Sequence, residues 1–423
     1  MALRRSLPES GSHVARLAMK AARIGAIRWG GFTVPMDPAV IDGYVDAGLE
    51  AEAAGEYRAW LLALRAAVGL RWVAFHRVDP MPLEDRVRAA EEGLAYAREV
   101  GDRALEGNAL RAVGALLLVY GEMERGLDLT HQTLAQASRI DDPRERHLAI
   151  IESSQTLIWT GGEAGDVLPG LEDAIKLGRE LRVHDLCHST ATLMNALYVA
   201  GRWDEIPAYL DEHLRTFATD ASGTACPFAM GGFQLGAMVL AHRGEVDRAR
   251  EVAALMPQTE APIGIVEGYQ AMVANALGEP ATARSIAERV LSSGARNFAE
   301  EPPVELVAYL DALIALEDWD ALRAFLPEAR SRSAELALAG PAIDRAEGLA
   351  AAAAGDEAQA RELLGRAIDS FDRVSIFEAA RTREALAAID PAAREALNAA
   401  ALATYERLGA KPHADRIRAA LAT

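Results

Sequence analysis

Apolar and polar positions along the chain follow a helical rhythm that glycine interrupts at intervals. Residues 108–134 show the unit: an apolar seam with a small residue at Gly114, a tight turn at Gly121, then a second amphipathic segment pairing back on the first. The arrangement recurs about Gly55, Gly121, Gly161, Gly201, Gly244, Gly278, Glu317 and Gly355. The later turns follow one another by roughly 34 to 43 residues, the period of helix-pair solenoids. Seven positions before the turns stand Gly48, Gly114, Ser154, Met194, Ala237, Ala271, Leu310 and Gly348, mostly small, which predicts close approach within each pair. Four before the turns stand Ala51, Leu117, Leu157, Leu197, Leu240, Ala274, Leu313 and Ala351, apolar in every copy. These are expected between the helices, where one buried Leu contributes about 1.5–3 kcal/mol. Five after the turn the pattern is degenerate, with Ala249, Ala283 and Ala360 but also Trp60, Asp166 and Leu322.

In chain order this divides the sequence into a basic N-terminal helix or arm at 1–36, helical repeats at 37–390, and a last repeat helix with a capping helix at 391–423. The segment 13–32 carries Arg16, Lys20, Arg23 and Arg28 opposite Val14, Leu17, Ala21, Ile24 and Ile27. On a helix those sets occupy different faces, so it either docks its apolar side on the repeats or meets an anionic surface. The interval from Gly55 to Gly121 is too long for one repeat, and the stretch HRVDPMPLED is read as its irregular turn. Acid-rich starts GEMER, GRWDE, GEVDR and GEPAT open four second helices, where acids complement the helix dipole. The loops 218–227 and 256–265 exceed what the repeat needs. A final amphipathic helix, with Arg416 and Arg418 outward and Ile417 and Leu421 inward, is expected to cap the open end.

These columns resemble tetratricopeptide (TPR) repeats. AREVGDRALEGNALRAVGALLLVYGE and ATYERLGAKPHADRIRAAL are similar to the repeat arms of large bacterial LuxR-type (MalT-like) regulators and of multidomain ATPase or cyclase proteins. The resemblance covers almost the whole chain and implies an all-α, TPR-like right-handed α-solenoid of about eight or nine helix pairs. In such relatives the arm follows a P-loop ATPase or precedes a DNA-binding helix-turn-helix. Here no GxxxxGK[ST] occurs, and nothing after Pro391 has the composition of a helix-turn-helix, so neither ATP hydrolysis nor operator reading carries over.

Composition agrees with helices throughout: 51% hydrophobic residues, 6% aromatic, and alanine runs such as 350–354. The net charge of -18, with Lys only at Lys20, Lys176 and Lys411, sets the chain against a phosphate backbone, so no nucleic-acid partner is expected. Cys187 and Cys226 form no CxxC pair, which fits a reducing cytoplasm. No stretch offers about 18 uncharged apolar residues, so a soluble protein without membrane contact is expected.

Candidate chemistry is sparse. HDLCH at 184–188 places His184, Cys187 and His188 near one helix face. A zincin motif needs Glu second, where Asp185 stands, and no third ligand is identifiable, so no metal, cofactor or catalytic role is assigned. A metal-dependent hydrolase using His184 and His188 is a distant rival. The inner side of the first helices is more informative. Counting back from the turns gives Asn108, Arg111, Gln155, Trp159, His188, Asn195, Tyr198, Gln234, Met238, His242, Met272 and Asn275, then Asp311 and Arg345. Amides able to clamp a peptide backbone alternate with aromatic area, and the middle of the row, from Gln155 to Asn275, uncharged within an acidic protein, is the expected site. The expectation is a non-catalytic scaffold binding a protein or peptide segment, or a small effector, in its concave groove. The rival regulatory reading is a stand-alone sensor arm acting on a transcriptional or nucleotide-signalling partner.

Overall fold

A computed structural model describes residues 11–27, 37–51, 55–74, 78–219, 227–255, 264–292, 304–333 and 336–421. They form twenty-one α-helices and no strand. The first six are α1 (Gly11–Ile27), α2 (Pro38–Ala51), α3 (Glu56–Ala74), α4 (Leu83–Val100), α5 (Arg103–Val119) and α6 (Met123–Gln136). The middle of the chain supplies α7 (Pro143–Thr156), α8 (Ala164–Glu180), α9 (Val183–Val199), α10 (Ile206–Thr219), α11 (Pro227–His242), α12 (Val246–Ala254), α13 (Gly264–Ala276) and α14 (Pro280–Ser292). Last come α15 (Val304–Ala315), α16 (Trp319–Ser333), α17 (Ala339–Ala353), α18 (Glu357–Val374), α19 (Ile376–Ile389), α20 (Arg394–Leu408) and α21 (Lys411–Leu421). Most of the loops 218–227 and 256–265, together with Arg28, Phe32 and Cys226, lie outside the described residues.

The turns are built as the apolar column required. At Gly121, Gly201, Gly244, Gly278 and Gly355 the backbone enters the left-handed region, with φ from 71° to 88°, where a side chain would be strained. The next residue then donates its N–H back across the turn: Glu122 to Leu117 O at 2.9 Å, Arg202 to Leu197 O at 2.8 Å, Glu245 to Leu240 O at 2.9 Å, and Asp356 to Ala351 O at 3.0 Å. The apolar position four before each glycine therefore also terminates the helix. Glu317 does the same work with a side chain, at φ 54°, and Asp318 N donates to Leu313 O at 3.0 Å.

Two turns depart from this register. After α7 a π turn, Leu157–Gly161, inserts one residue, and the left-handed position moves from the expected Gly161 to Gly162, φ 76°. Glu163 N then reaches Leu157 O at 3.0 Å. Gly55 connects α2 to α3, but α3 packs in the row of α1 and α5, so this turn joins successive pairs rather than the members of one. Between α3 and α4 the described residues 78–82 are non-helical and fall within HRVDPMPLED, whose His76 and Arg77 lie outside the described residues and whose Leu83, Glu84 and Asp85 already open α4.

Odd-numbered helices touch the next odd-numbered helix from α1 through α19, and each even-numbered helix packs on the odd-numbered one before it. Small residues set the closest approaches. A Cβ on Gly114 of α5 would lie 3.1 Å from Gly126 O of α6, and one on Gly126 would strike Leu118. α1 docks on α2 and α3 with Arg16 and Lys20 exposed, but the face it buries is Ala15, Ala18, Met19 and Ala22, while the expected Val14, Leu17 and Ala21 are half-buried beside it. At the other end, α21 turns Ile417 inward as expected, whereas Leu421, in its last turn, is exposed. No helix among the described residues is long and apolar enough to cross a membrane.

The row does not stay open. Ala337, just before α17, donates its N–H to Thr160 O at 3.2 Å, in the turn after α7. Ile376, opening α19, lies against Gly201 after α9, and Pro412, in the first turn of α21, lies 3.4 Å from a Cβ placed on Gly244 after α11. Three consecutive turns are thus each met by the start of the helix ten places later. One hydrophobic cluster accordingly joins Ile140 through Val304 to Phe377, Tyr405, Leu408 and Ile417, whereas the N-terminal cluster, Met19 through Leu117, is separate.

Candidate functional site: the inner face and its seam

Between α3, α5 and α7 the inner face is partly accessible. Asn108 and Arg111 are half-buried and, with the buried Trp60, Ala63, Leu64, Ala67 and Ala112, line a small recess with room for about one water molecule. Asn108 Nδ2 donates to Glu145 Oε2 at 2.7 Å, Arg111 Nη2 donates to Asn108 Oδ1 at 3.1 Å, and Arg111 pairs with Glu152. An apolar floor thus meets a hydrogen-bonded polar rim whose geometry is held from α7.

Farther along, the predicted row is covered. Gln155, Trp159, Asn195, Tyr198, Gln234 and Met238 are each 1–4% exposed. Gln155 Oε1 accepts from Thr192, and Asn195 Oδ1 accepts from Tyr269 on α13, both at 3.5 Å. Trp159 Nε1 is buried without a hydrogen-bond partner. Tyr198 stacks on Trp203 with centroids 5.4 Å apart, and burial followed by the Glu378 carboxylate pushes its hydroxyl pKa up. Met272 is half-buried against the same core. Asn275 Nδ2 donates to Ala308 O at 2.8 Å. These side chains join one helix to the next instead of forming an open surface.

The cover is the seam with α19–α21. Phe377 sits 4.8 Å from the Trp203 ring and 4.5 Å from the His242 ring, with Tyr405 and His413 closing the other sides at 6.1 and 5.3 Å. His242 is half-buried there, and burial, then His413, hold it well below the usual histidine range. Next to this aromatic box lies a four-charge network. Arg345 pairs with Asp311 at 2.9 Å and with Glu378; Arg381 pairs with Asp311 at 2.8 Å and with Glu378 at 3.1 Å. Burial raises the Glu378 carboxyl, but Arg381 and Arg345 more than offset it and hold it well below the usual range. Two cations against two anions, mutually hydrogen-bonded, satisfy the condition under which buried charge is tolerated.

His184 and His188 have ring centroids 4.6 Å apart, tilted by 57°. Burial, then His184, His147 and His213, lower His188 well below its usual range. No group of three or more His, Cys, Asp or Glu among the described residues is placed to hold a metal ion. Nearby, His147 Nε2 lies 2.6 Å from Ser189 Oγ. That pair is 1% and 0% exposed, and the hydroxyl is also within reach of Ala174 O at 3.0 Å, so it works as an internal tie. Phe377, His413 and Trp60 escape a reading by column because their partners lie outside their own repeat. Asp311 and Arg345, at the end of the inner row, are the one signal in the sequence for the charge network. Compared with known proteins, the chain matches no family model and no curated sequence.

Proposed function

We propose that the chain is a non-catalytic recognition module, a TPR-like right-handed α-solenoid of ten helix pairs and a terminal helix, more than the eight or nine counted from its turns. Five pairs make one circuit of this superhelix, and the second circuit rests on the first. Its ligand is a protein or peptide segment bound on the inner face, and the recess of Trp60, Leu64, Asn108 and Arg111 is the anchor. The observation that supports this reading is a contrast within the inner row: Asn108 and Arg111 are half-buried at the mouth of a small recess floored by Trp60 and Leu64, while Gln155, Trp159, Asn195, Tyr198, Gln234 and Met238 are buried. A buried-edge Trp beside a positioned Arg is the residue pair that most often dominates binding energy at protein interfaces. With a net charge of -18 the favoured segment is neutral or basic.

Peptides selected by display on the purified chain test this. They bind the wild type, and Arg111→Ala or Trp60→Phe lowers their affinity by about tenfold or more, with the far-ultraviolet circular dichroism unchanged. Selected peptides that bind both folded variants as tightly as the wild type place recognition elsewhere.

A further inference from the structure

The seam contains a hydrogen-bond relay whose direction follows from which atoms can donate. Arg416 Nη2 lies 3.0 Å from His413 Nδ1. A guanidinium only donates, so Nδ1 is the lone-pair nitrogen and the ring proton of His413 sits on Nε2. That nitrogen is 3.1 Å from His242 Nδ1, which must accept, leaving the proton of His242 on its own Nε2. Both rings are therefore neutral while the seam is closed. A proton added to either ring has to go on Nδ1: on His413 it displaces Arg416, and on His242 it faces the N–H of His413.

Glu384 and Glu378 favour a charge on His413 and Asp311 one on His242, but each carboxylate is already paired with arginine and is outweighed. From α19, Glu384 accepts from both Arg416 and the Tyr405 hydroxyl of α20, the latter at 2.9 Å. Asp311 of α15 and Glu378 of α19 are bound to Arg345 of α17 and to Arg381. Arg381 and Arg416 both oppose a charge on either ring, and from α9 Tyr198 faces the same group with its proton held on.

We propose that Arg416, His413 and His242 form a proton-operated latch that holds the C-terminal helices over the inner face, so that acidification opens the seam while the helices stay folded. The latch stands on the seam alone and holds or fails whatever the chain recognises. Burial, then Arg416 and Arg381, lower His413 to about 4 from 6.5. A histidine lowered in the closed state favours closure above its ordinary value and loses that contribution as pH falls from 6.5 toward 4. His413 alone then shifts the balance toward the open state by about 30-fold at pH 5, and His242 adds in the same direction.

Small-angle scattering of the full chain between about pH 8 and pH 4.5, with circular dichroism on the same samples, tests the latch. The wild type expands with a midpoint between the two histidine values while its helix signal persists. The double variant His242→Gln, His413→Gln stays closed, because the amide that replaces the His413 ring accepts from Arg416 and donates onward without taking up a proton. Should that variant fail to fold at neutral pH, His413→Gln alone is measured and its midpoint falls by about one pH unit. The latch is overturned if the wild type keeps its dimensions until helix is lost, or if the glutamine variant expands along the wild-type curve; His147 and His188, also lowered, then carry any remaining pH dependence.

Discussion

The inner faces of α5 and α9 start from the same column of the repeat and end differently. On α5, Asn108 and Arg111 remain half-buried beside a small recess, and the buried core beneath them runs from Met19 to Leu117, with Leu129 packed on it. On α9, Asn195 is 3% exposed with its amide oxygen taken by Tyr269, and Tyr198 is 4% exposed in one core with Phe377, Tyr405 and Leu408 from the far end of the chain. Position in a repeat thus sets which way a side chain points. What it meets depends on how far the row of helices has curled. Amides and aromatic rings suit a ligand on the uncovered part and suit internal docking on the covered part, for the same chemical reasons.

The comparison can be broken most directly at Phe377. Phe377→Ala empties the ring box and costs about 3–5 kcal/mol. Hydrogen exchange then shows lost amide protection in α9 and α11 with α3 and α5 unchanged; uniform loss would show that the two regions are one cooperative unit. Arg345→Ala leaves Asp311 and Glu378 short of a cation and costs about 3 kcal/mol at neutral pH. Because Glu378 is held low, its contribution is present above its ordinary value of 4.5 and is lost as pH falls through the lowered one. The variant and the wild type therefore converge in denaturant midpoint as the solution is made strongly acidic. In the N-terminal region, Gly126→Ala drives a Cβ into Leu118 and lowers stability by about 1–3 kcal/mol without altering scattering dimensions. The smallest effect is a gain. Glu317→Gly relieves a side chain at φ 54° and stabilises by about 0.5–1 kcal/mol in a chemical melt.

Much of the local architecture can be read from single residues. Leu117, Leu197, Leu240 and Leu313 are apolar at one spacing because they sit between helices, and their carbonyls close the turns that the next glycine or Glu317 makes possible. The misreadings are equally local. Gly161 falls one residue early because the π turn has no signature in side-chain periodicity, and Gly55 reads as lying within a pair because a glycine between pairs looks the same as one inside a pair. Of the expected row, Asn108 and Arg111 are half-buried and tied to Glu145 and Glu152 of α7. For Gln155, Trp159, Asn195, Tyr198, Gln234 and Met238 the same column predicts exposure, but all are buried, Gln155 and Asn195 against neighbouring helices and Trp159, Tyr198 and Met238 in a core that the C-terminal helices share. His184 and His188 do share one face, but a ring pair is not a coordination sphere.

By itself, then, the sequence determined the row of helices and most of its turns, because spacings of four and seven residues act within one or two helical hairpins. The closure of that row was decided only in three dimensions. His242 meets His413 across 171 residues, and whether two such distant positions touch is set by the summed placement of every helix between them. No local pattern encodes that sum, so the same amide or ring can read as a docking surface on one helix and become core on another.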